Sequence, residues 1–163
     1  MKRRVELLAL ILLLIAIDLQ TKSIARATLA ADSPRHFGIV TLLYTTNAGA
    51  FLSIGSNLPG GLRAALFDGI VALALGAAAI VLFRGAVQWA ADEVALALIL
   101  AGGIGNLIDR LRFAGRVTDF LYLSIGHVHT GVFNVADIAI TFGILWLVLS
   151  WGFTRRSTQA RNS

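Results

Sequence analysis

The sequence contains no cysteine. Without thiols the chain forms no disulfide, no thiolate metal site and no cysteine nucleophile, so chemistry is left to carboxylate, hydroxyl and imidazole groups. Charged residues are also scarce, at 14% of the 163 residues, whereas 57% are hydrophobic and the mean hydropathy is +0.79. This balance predicts an integral membrane protein with a single domain.

The few charged residues are biased towards basic side chains, with 14 Lys and Arg against 9 Asp and Glu. Six of the basic residues form two terminal clusters, at 2–4 and within 155–161. Basic clusters that adjoin apolar segments are typical of membrane orientation, because such segments stay on the cytoplasmic side. We therefore expect cytoplasmic termini and no nucleic-acid partner.

Four apolar windows reach the roughly 20 residues that a helix needs to cross a bilayer. They cover about 5–26, 64–83, 89–110 and 132–152. The expected fold class is a membrane all-α protein, a bundle of four transmembrane helices in one domain over 1–154, with a cytoplasmic basic tail at 155–163. A cleavable signal peptide also fits the basic, apolar N-terminus. Against it, Asp18, Lys22 and Arg26 interrupt the segment and recur on one helical face.

The connection between the first two windows is rich in β-branched and aromatic residues. The stretch HFGIVTLLYTTNAGAFLSIGS begins at residue 36 and contains Asn47, Gly49 and Gly55 as turn residues. It predicts two or three short strands, a small extramembrane β-sheet between helices 1 and 2 at about 36–58. The connection at 111–131 has a similar composition and is expected to form strand or loop.

Four antiparallel spans place every conspicuous polar residue on one side of the membrane. An ionisable group near hydrocarbon costs about 2.5–3.5 kcal/mol on insertion scales and normally faces a cavity or a partner. We therefore expect these residues to converge on a functional site. They are Asp18, Lys22, Asp68, Asn106, Asp109, Arg110, Asn134 and Asp137.

Spacing alone gives some of these residues a structural explanation. Asp18 and Lys22 stand four apart with the acid first, the favourable order for a helix ion pair. They either anchor helix 1 or take a direct part in the site. Asn106, Asp109 and Arg110 share one helical turn, so Asp109 and Arg110 either cap helix 3 or face the site with Asn106.

Asn134 and Asp137 stand at the start of the fourth window. As structural residues, Asn134 would cap the helix and Asp137 would complement its dipole. Asp119 would face Asp137 if the preceding connection folds back over the helix ends. Two carboxylates in a partly dry site do not both ionise readily, so one keeps its proton while the other is a base. Such a pair can hydrolyse a peptide bond, because the base deprotonates water while the acid polarises the carbonyl.

His127 and His129 form an H-x-H pair, which with Asp119 or Asp137 is a weak candidate for a metal site. No other histidine lies near them in the sequence. We therefore expect no metal.

Five motifs in this order resemble the bacterial lipoprotein signal peptidase family, also called signal peptidase II. The motifs are DLQTK at 18–22, NAGAF at 47–51, GGIGNLIDR at 102–110, GRVTDF at 115–120 and FNVAD at 133–137. The last three are highly specific in combination. One motif departs from the family, which often has N-x-G-A-A-F where this chain has NAGAF, one small residue shorter. The departure bears on the placement of Phe51 and the edge of the sheet.

The resemblance implies an aspartic-type endopeptidase that works without a metal or a cofactor. The family removes the signal peptide of diacylglyceryl-modified prolipoproteins by cutting just before the lipidated cysteine. Its catalytic aspartates correspond to Asp119 and Asp137. The residues that line or support its site correspond to Asp18, Lys22, Asn47, Asn106, Asp109, Arg110 and Asn134.

The resemblance also implies where the protein works and with what. The expected partners are a lipid-modified prolipoprotein substrate and membrane lipids, and the expected state is a monomer. The protein is expected to cross the bacterial inner membrane several times, with its active site near the periplasmic face.

Two other classes of function compete with a peptidase. In a small transporter or proton relay, Asp18, Asp109 and Asp137 would pass protons across the membrane. The clustering of these acids on one side disfavours this reading. In a scaffold subunit, the acids would only pair with arginines.

Overall fold

In the computed structural model, the described part of the chain forms four helices and four strands. The structure describes residues 1–47, 60–87 and 89–161. The helices are α1 (Lys2–Leu29), α2 (Gly60–Arg84), α3 (Ala90–Arg112) and α4 (Val135–Arg161). The strands are β1 (Arg35–Phe37), β2 (Val40–Asn47), β3 (Val117–Ile125) and β4 (Val128–His129).

Each apolar window of the sequence overlaps one helix, although α3 begins one residue and α4 three residues after the start of its window. The helix α4 differs most from its window, because its backbone stays helical through Arg161, within the segment expected to be a basic tail. The sequence FTRRSTQAR at 153–161 contains neither glycine nor proline. Its Arg, Gln and Ala residues are good helix formers, which explains the extension.

The helix α3 is the centre of the helical packing and contacts the other three helices. Its small residues from Ala95 onwards are buried, and larger side chains of α1 and α2 fill the space beside them. This arrangement lets the helices approach closely, as small residues do in membrane bundles. The buried cluster is Leu7, Ile11, Leu82, Ala97, Leu100 and Ala101.

The contacts of α3 with α4 and α1 require glycine at two positions. A Cβ atom on Gly102 would lie 2.4 Å from the backbone oxygen of Ala136 in α4. A Cβ atom on Gly105 would lie 2.5 Å from the Oδ2 atom of Asp18 in α1. Both separations are shorter than any normal contact, so these glycines set the distance between the helices near their polar ends.

The expected sheet is present, but it is built from both long connections. Its strands are all antiparallel in the order β1-β2-β3-β4. The strands β1 and β2 come from the connection between α1 and α2, as expected, whereas β3 and β4 come from the connection between α3 and α4. The part of the expected sheet at 48–58, including Phe51, lies outside the described residues.

The sheet packs on the end of α1 next to the polar residues. Phe120 of β3 is buried against Ala25 and Leu29 of α1. The pairing of β2 with β3 shifts by one residue between Leu42 and Thr45, so that Thr45 lies opposite Asp119. Such a bulge is a common way to re-aim side chains next to a functional site.

Two of the described helices, α1 and α3, are long and apolar enough to cross a membrane. Their most apolar windows have mean hydropathies of 2.0 and 1.6. In α4 the apolar part is shorter and covers Val135–Trp151. Large apolar side chains are exposed on α1, α2 and α4, among them Leu12, Leu73 and Val148, as expected of surfaces that contact lipid.

Candidate active site

The first turn of α4 is fixed by a reciprocal cap between Asn134 and Asp137. The backbone N–H of Asp137 donates to Asn134 Oδ1 at 3.0 Å, and the backbone N–H of Asn134 donates to Asp137 Oδ2 at 3.1 Å. This is the geometry of a capping box, which satisfies two backbone donors at a helix start. The structural explanation of this pair is therefore confirmed. The cap does not use Asp137 Oδ1 or the side-chain nitrogen of Asn134, so both atoms can make other contacts.

Asp119 approaches this helix start from the sheet. Successive side chains of β3 point to opposite faces. Phe120 packs on α1 and Thr118 bonds to Arg26, whereas Val117 and Asp119 face the opposite side. Asp119 is 2% exposed, and its carboxylate accepts a hydrogen bond of 2.7 Å from Asn134 Nδ2. Asn134 thus contacts both aspartates.

The two aspartates line one cavity. Its volume is about 40 Å³, which exceeds the roughly 10–15 Å³ that one water molecule requires. The sheet, α3 and α4 all contribute to its wall. The lining residues are Asn47, Asn106, Arg110, Val117, Asp119 and Asp137.

The environment of Asp119 favours its protonated form. Burial raises the pKa of Asp119 from 3.8 to about 6, and repulsion by the charge of Asp137 acts in the same direction. Hydrogen bonds from Asn134 and Asn47 and the charge of Lys22 lower the pKa and oppose this change. At pH values below about 6, Asp119 is therefore mostly protonated.

Asn106 holds Asp137 from the side of α3. Its Nδ2 atom donates to Asp137 Oδ1 at 2.9 Å, and its Oδ1 atom accepts from Lys22 Nζ at 2.8 Å. A lysine ammonium can only donate and an ionised carboxylate can only accept, so these neighbours fix the orientation of the amide. Asn134 Nδ2 also donates to Asn106 Oδ1, at 3.2 Å.

Asp18 and Lys22 form the expected ion pair, 2.7 Å long, but inside the protein. Lys22 is completely buried and Asp18 is 1% exposed. Asp18 also accepts the backbone N–H of Ala136 at 2.9 Å, and Lys22 reaches Asn106 in α3. The pair therefore ties α1 to the start of α4 and to the residue that orients Asp137. Its place is behind the cavity wall.

Asp109 also lies behind the cavity and does not line it. It is fully buried and accepts hydrogen bonds from Arg26 Nη1 at 3.3 Å and from the backbone N–H of Thr118 at 2.9 Å. Its cationic partner is Arg26 of α1, and the carboxylate contact of Arg110 is with Asp68, at 3.9 Å. Among the described residues, the expected capping pair of Asp109 with Arg110 is therefore not formed.

Arg110 of α3 and Asn47 of β2 both line the cavity. The side chain of Arg110 is 25% exposed, and its contact with Asp68 is long for an ion pair. Its guanidinium therefore keeps donors for a ligand in the cavity. Asn47 ends β2 and donates a side-chain hydrogen bond to Asp119.

His127 lies in the turn between β3 and β4, and His129 lies in β4, at the other end of β3 from Asp119. His129 stacks on Tyr122, with ring centroids 5.8 Å apart. Among the described residues, no three His, Asp or Glu side chains come together as a group that could hold a metal. The H-x-H pair therefore has no third ligand within the described chain.

Three residues near the site were not identified from the sequence as site residues. Val117 lines the cavity, and Thr118 and Arg26 hold the strand that carries Asp119. For Arg26 a signal exists, since it follows Asp18 and Lys22 at the same four-residue spacing. For Val117 and Thr118 the only signal is their position beside Asp119.

Comparison with known proteins gives consistent matches. The family Signal peptidase (SPase) II matches residues 10–153. The chain is similar to the lipoprotein signal peptidase of Hydrogenovibrio crunogenus, at 37% identity over 94% of this chain and 90% of that protein. It is also similar to the lipoprotein signal peptidase of Francisella tularensis subsp. novicida, at 34% identity over 97% and 98%. A solved bacterial membrane enzyme superposes with a TM-score of 0.77 at 25% identity, covering 90% of this chain and 92% of that one.

Proposed function

The chain belongs to the lipoprotein signal peptidase family, signal peptidase II, whose members are aspartic peptidases that remove signal peptides from prolipoproteins, and on that premise we propose that Asp119 and Asp137 are its catalytic pair. The observation that carries this proposal is the shared cavity, which both carboxylates line. Asn134, which hydrogen-bonds to both, supports the assignment.

The different surroundings of the two aspartates support different tasks for them. Asp137 accepts N–H donors at both carboxylate oxygens, so it is the hydrogen-bond acceptor that a general base must be. Asp119 keeps its proton to about pH 6 and is the acid. A water molecule in the cavity gives a proton to Asp137 and attacks the peptide carbonyl, whose oxygen takes the proton of Asp119.

Collapse of the tetrahedral intermediate breaks the C–N bond. The proton held by Asp137 passes to the departing amine, and Asp119 recovers its proton from the intermediate's hydroxyl group. The pair therefore ends in its starting state, and one water molecule is consumed per bond. Asn106 and Asn134 keep the two carboxylates oriented throughout, because each bonds to at least one of them.

We propose that Asn47 and Arg110 bind substrate at the cavity walls, while Asp18, Lys22 and Asp109 support the site from behind. The guanidinium of Arg110 fits a carbonyl oxygen or a lipid head group, because both accept its hydrogen bonds. The substrate is a diacylglyceryl-modified prolipoprotein, cut just before the lipidated cysteine. No cofactor takes part in these steps.

The four helices suit a substrate that stays anchored by its acyl chains. We propose that all four cross the bacterial inner membrane as one domain over 1–154, with cytoplasmic termini and the site at the periplasmic face. Exposed apolar side chains on α1, α2 and α4 support this arrangement. A lipid-anchored substrate moves laterally in the bilayer, so catalytic groups at the helix ends meet its cleavage site at the membrane surface. One cavity within one chain is consistent with a monomer.

A proton relay has less support from the same residues. Asp18 is paired with Lys22 and Asp109 with Arg26. Both acids are therefore engaged in ion pairs behind the cavity wall, while Asp137 lines the cavity itself. A relay would need these three acids to exchange protons along one path.

The proposal is tested by the identity of the cleaved bond. The purified protein is incubated in detergent with a diacylglyceryl-modified prolipoprotein, and the products are analysed by mass spectrometry. We expect a product whose first residue is the lipidated cysteine, no product from Asp119→Asn, and the same yield with EDTA. Cleavage at another bond, loss of activity with the chelator, or an active Asp119→Asn enzyme would contradict the proposal.

A further inference from the structure

Arg26 contacts the strand that carries Asp119 without lining the cavity. Its Nη1 atom donates to the hydroxyl oxygen of Thr118 at 2.6 Å. Thr118 directly precedes Asp119 in β3, and its side chain points away from the cavity. Arg26 therefore reaches a side chain of the strand that carries Asp119, on the face opposite the cavity.

The same arginine is also held by α3 and by Phe113, the residue that follows α3. It belongs to α1, pairs with the buried Asp109 of α3, and has its guanidinium carbon 4.3 Å from the ring centroid of Phe113. Asp109 in turn accepts the backbone N–H of Thr118 at 2.9 Å. Both the hydroxyl group and the backbone N–H of Thr118 are thus held by one ion pair.

This clamp determines where β3 passes relative to the helices. The backbone oxygen of Thr118 accepts from Asn134 Nδ2 at 3.3 Å, on the side of α4. With Arg26 and Asp109 on one side and Asn134 on the other, Thr118 has little freedom to move. Catalytic groups require such placement, since a displacement of about 1 Å can cost about 100-fold in rate.

Building on the proposed function, we propose that Arg26 is a positioning residue, which holds Thr118 through its hydroxyl group and through Asp109 so that the next residue, Asp119, faces Asp137. Arg26 does not contact the substrate in this arrangement. Its loss is therefore expected to lower kcat and to leave KM unchanged. A residue that bound substrate would change KM instead.

The test compares Arg26→Gln with Arg35→Gln in cleavage of a diacylglyceryl-modified prolipoprotein. Arg35 is an exposed arginine that pairs with Asp32, so this variant loses the same charge outside the clamp. We expect Arg26→Gln to lower kcat by about 10- to 100-fold per folded molecule at unchanged KM. Arg35→Gln should match the wild type. Arg26→Lys should restore part of the loss, because it keeps the charge beside Asp109.

Thr118→Val provides a second test that leaves the ion pair intact. Valine has nearly the shape of threonine but lacks the hydroxyl group that accepts from Arg26. We expect Thr118→Val to lower kcat without changing KM, and the double variant with Arg26→Gln to be no slower than Arg26→Gln alone. Losses that multiply in the double variant would contradict the clamp.

The outcomes separate this inference from the proposed function. If the wild type does not cleave the prolipoprotein, the proposed function is wrong. If the wild type cleaves it and both Arg26→Gln and Thr118→Val have the kcat of Arg35→Gln, Arg26 is not a positioning residue, while the catalytic pair stands. Size-exclusion chromatography in detergent gives the folded fraction by which each kcat is divided.

Discussion

At the scale of single residues, Asp119 and Asp137 have the same chemical group in different surroundings. Asp119 is buried on a strand, and Asp137 is half-buried in the first turn of a helix, where two N–H groups donate to it. Pairs of carboxylates in unlike environments divide the acid and base tasks between them. The sequence indicated the pair, but not which member carries the proton, because that depends on burial and on partners distant in the chain.

In the proposed mechanism, the pH dependence of cleavage follows from the protonation state of Asp119. Burial raises the pKa of Asp119 to about 6, so the protonated acid is present below that pH and is lost as the pH rises through it. We expect kcat/KM of the wild type to fall as the pH rises through about 6. A pH profile of kcat/KM checks this, and a rate that rises across the same range would make Asp119 the base.

Replacing Asn47 should change the pH at which kcat/KM falls. Asn47 donates a hydrogen bond that lowers the pKa of Asp119. In Asn47→Ala the pKa of Asp119 is expected to rise further, so activity should persist to higher pH than in the wild type. Thr46→Ala is the matched control, since the Thr46 hydroxyl group accepts from the exposed Arg116. If kcat/KM of Asn47→Ala falls at a lower pH than in the wild type, or if both variants show the same change, Asn47 does not lower the pKa of Asp119.

Ion pairs within one helix could be predicted from the sequence, whereas ion pairs between helices could not. The pair of Asp18 with Lys22 could be predicted because both belong to one helix at a spacing of four. The partner of Asp109 could not, because Arg26 is 83 positions away and reaches it only when α1 packs on α3. Sequence spacing suggested the adjacent Arg110 instead.

At the scale of elements, the helices were predictable and the sheet only partly so. Twenty apolar residues identify a helix by length and composition alone, whereas β3 could be read as strand or loop. Its pairing joins Asn47 to Val117 across the whole of α2 and α3. Such pairing depends on how the helices pack, and a local sequence pattern does not predict that packing.

The contact between α3 and α4 is the element-level feature that places Asp137. We expect Gly102→Ala to destabilise the protein by about 1–3 kcal/mol, because the added Cβ overpacks against α4. Gly76→Ala is the control, because a Cβ there meets nothing within 4 Å, and removing a helical glycine stabilises by up to about 1 kcal/mol. Thermal unfolding in detergent measures both variants. Equal effects would mean that the two helices can separate freely at Gly102.

At the scale of the whole molecule, the polar residues gather at one end of an apolar bundle. The sequence predicted this one-sidedness from four antiparallel spans. It could not show that the cluster has two layers, with Asp119 and Asp137 at the cavity and the Asp18–Lys22 and Asp109–Arg26 pairs behind it. Among the described residues, no buried side-chain nitrogen or oxygen lacks a hydrogen-bond partner. Lys22 bonds to Asn106, which bonds to Asp137, and Asp109 bonds to the backbone N–H of Thr118, so the two layers are connected.

The lack of cysteine makes the membrane orientation directly measurable. Single cysteines replace His127, at the exposed turn between β3 and β4, or Ala86, at the exposed turn after α2. We expect a membrane-impermeant maleimide applied to spheroplasts to label His127→Cys at once and Ala86→Cys only after permeabilisation. The opposite order would reverse the proposed orientation, and labelling of both without permeabilisation would exclude it.

The cooperation of the two aspartates is tested most directly by single-turnover cleavage of a diacylglyceryl-modified prolipoprotein by Asp119→Asn, Asp137→Asn and the double variant. Groups that act as a unit are not additive. We predict that each single substitution slows cleavage by about 100- to 10,000-fold or more and that the double variant is no slower than the slower single one. Cleavage near the wild-type rate by either single variant, at equal folded fraction, would contradict the account.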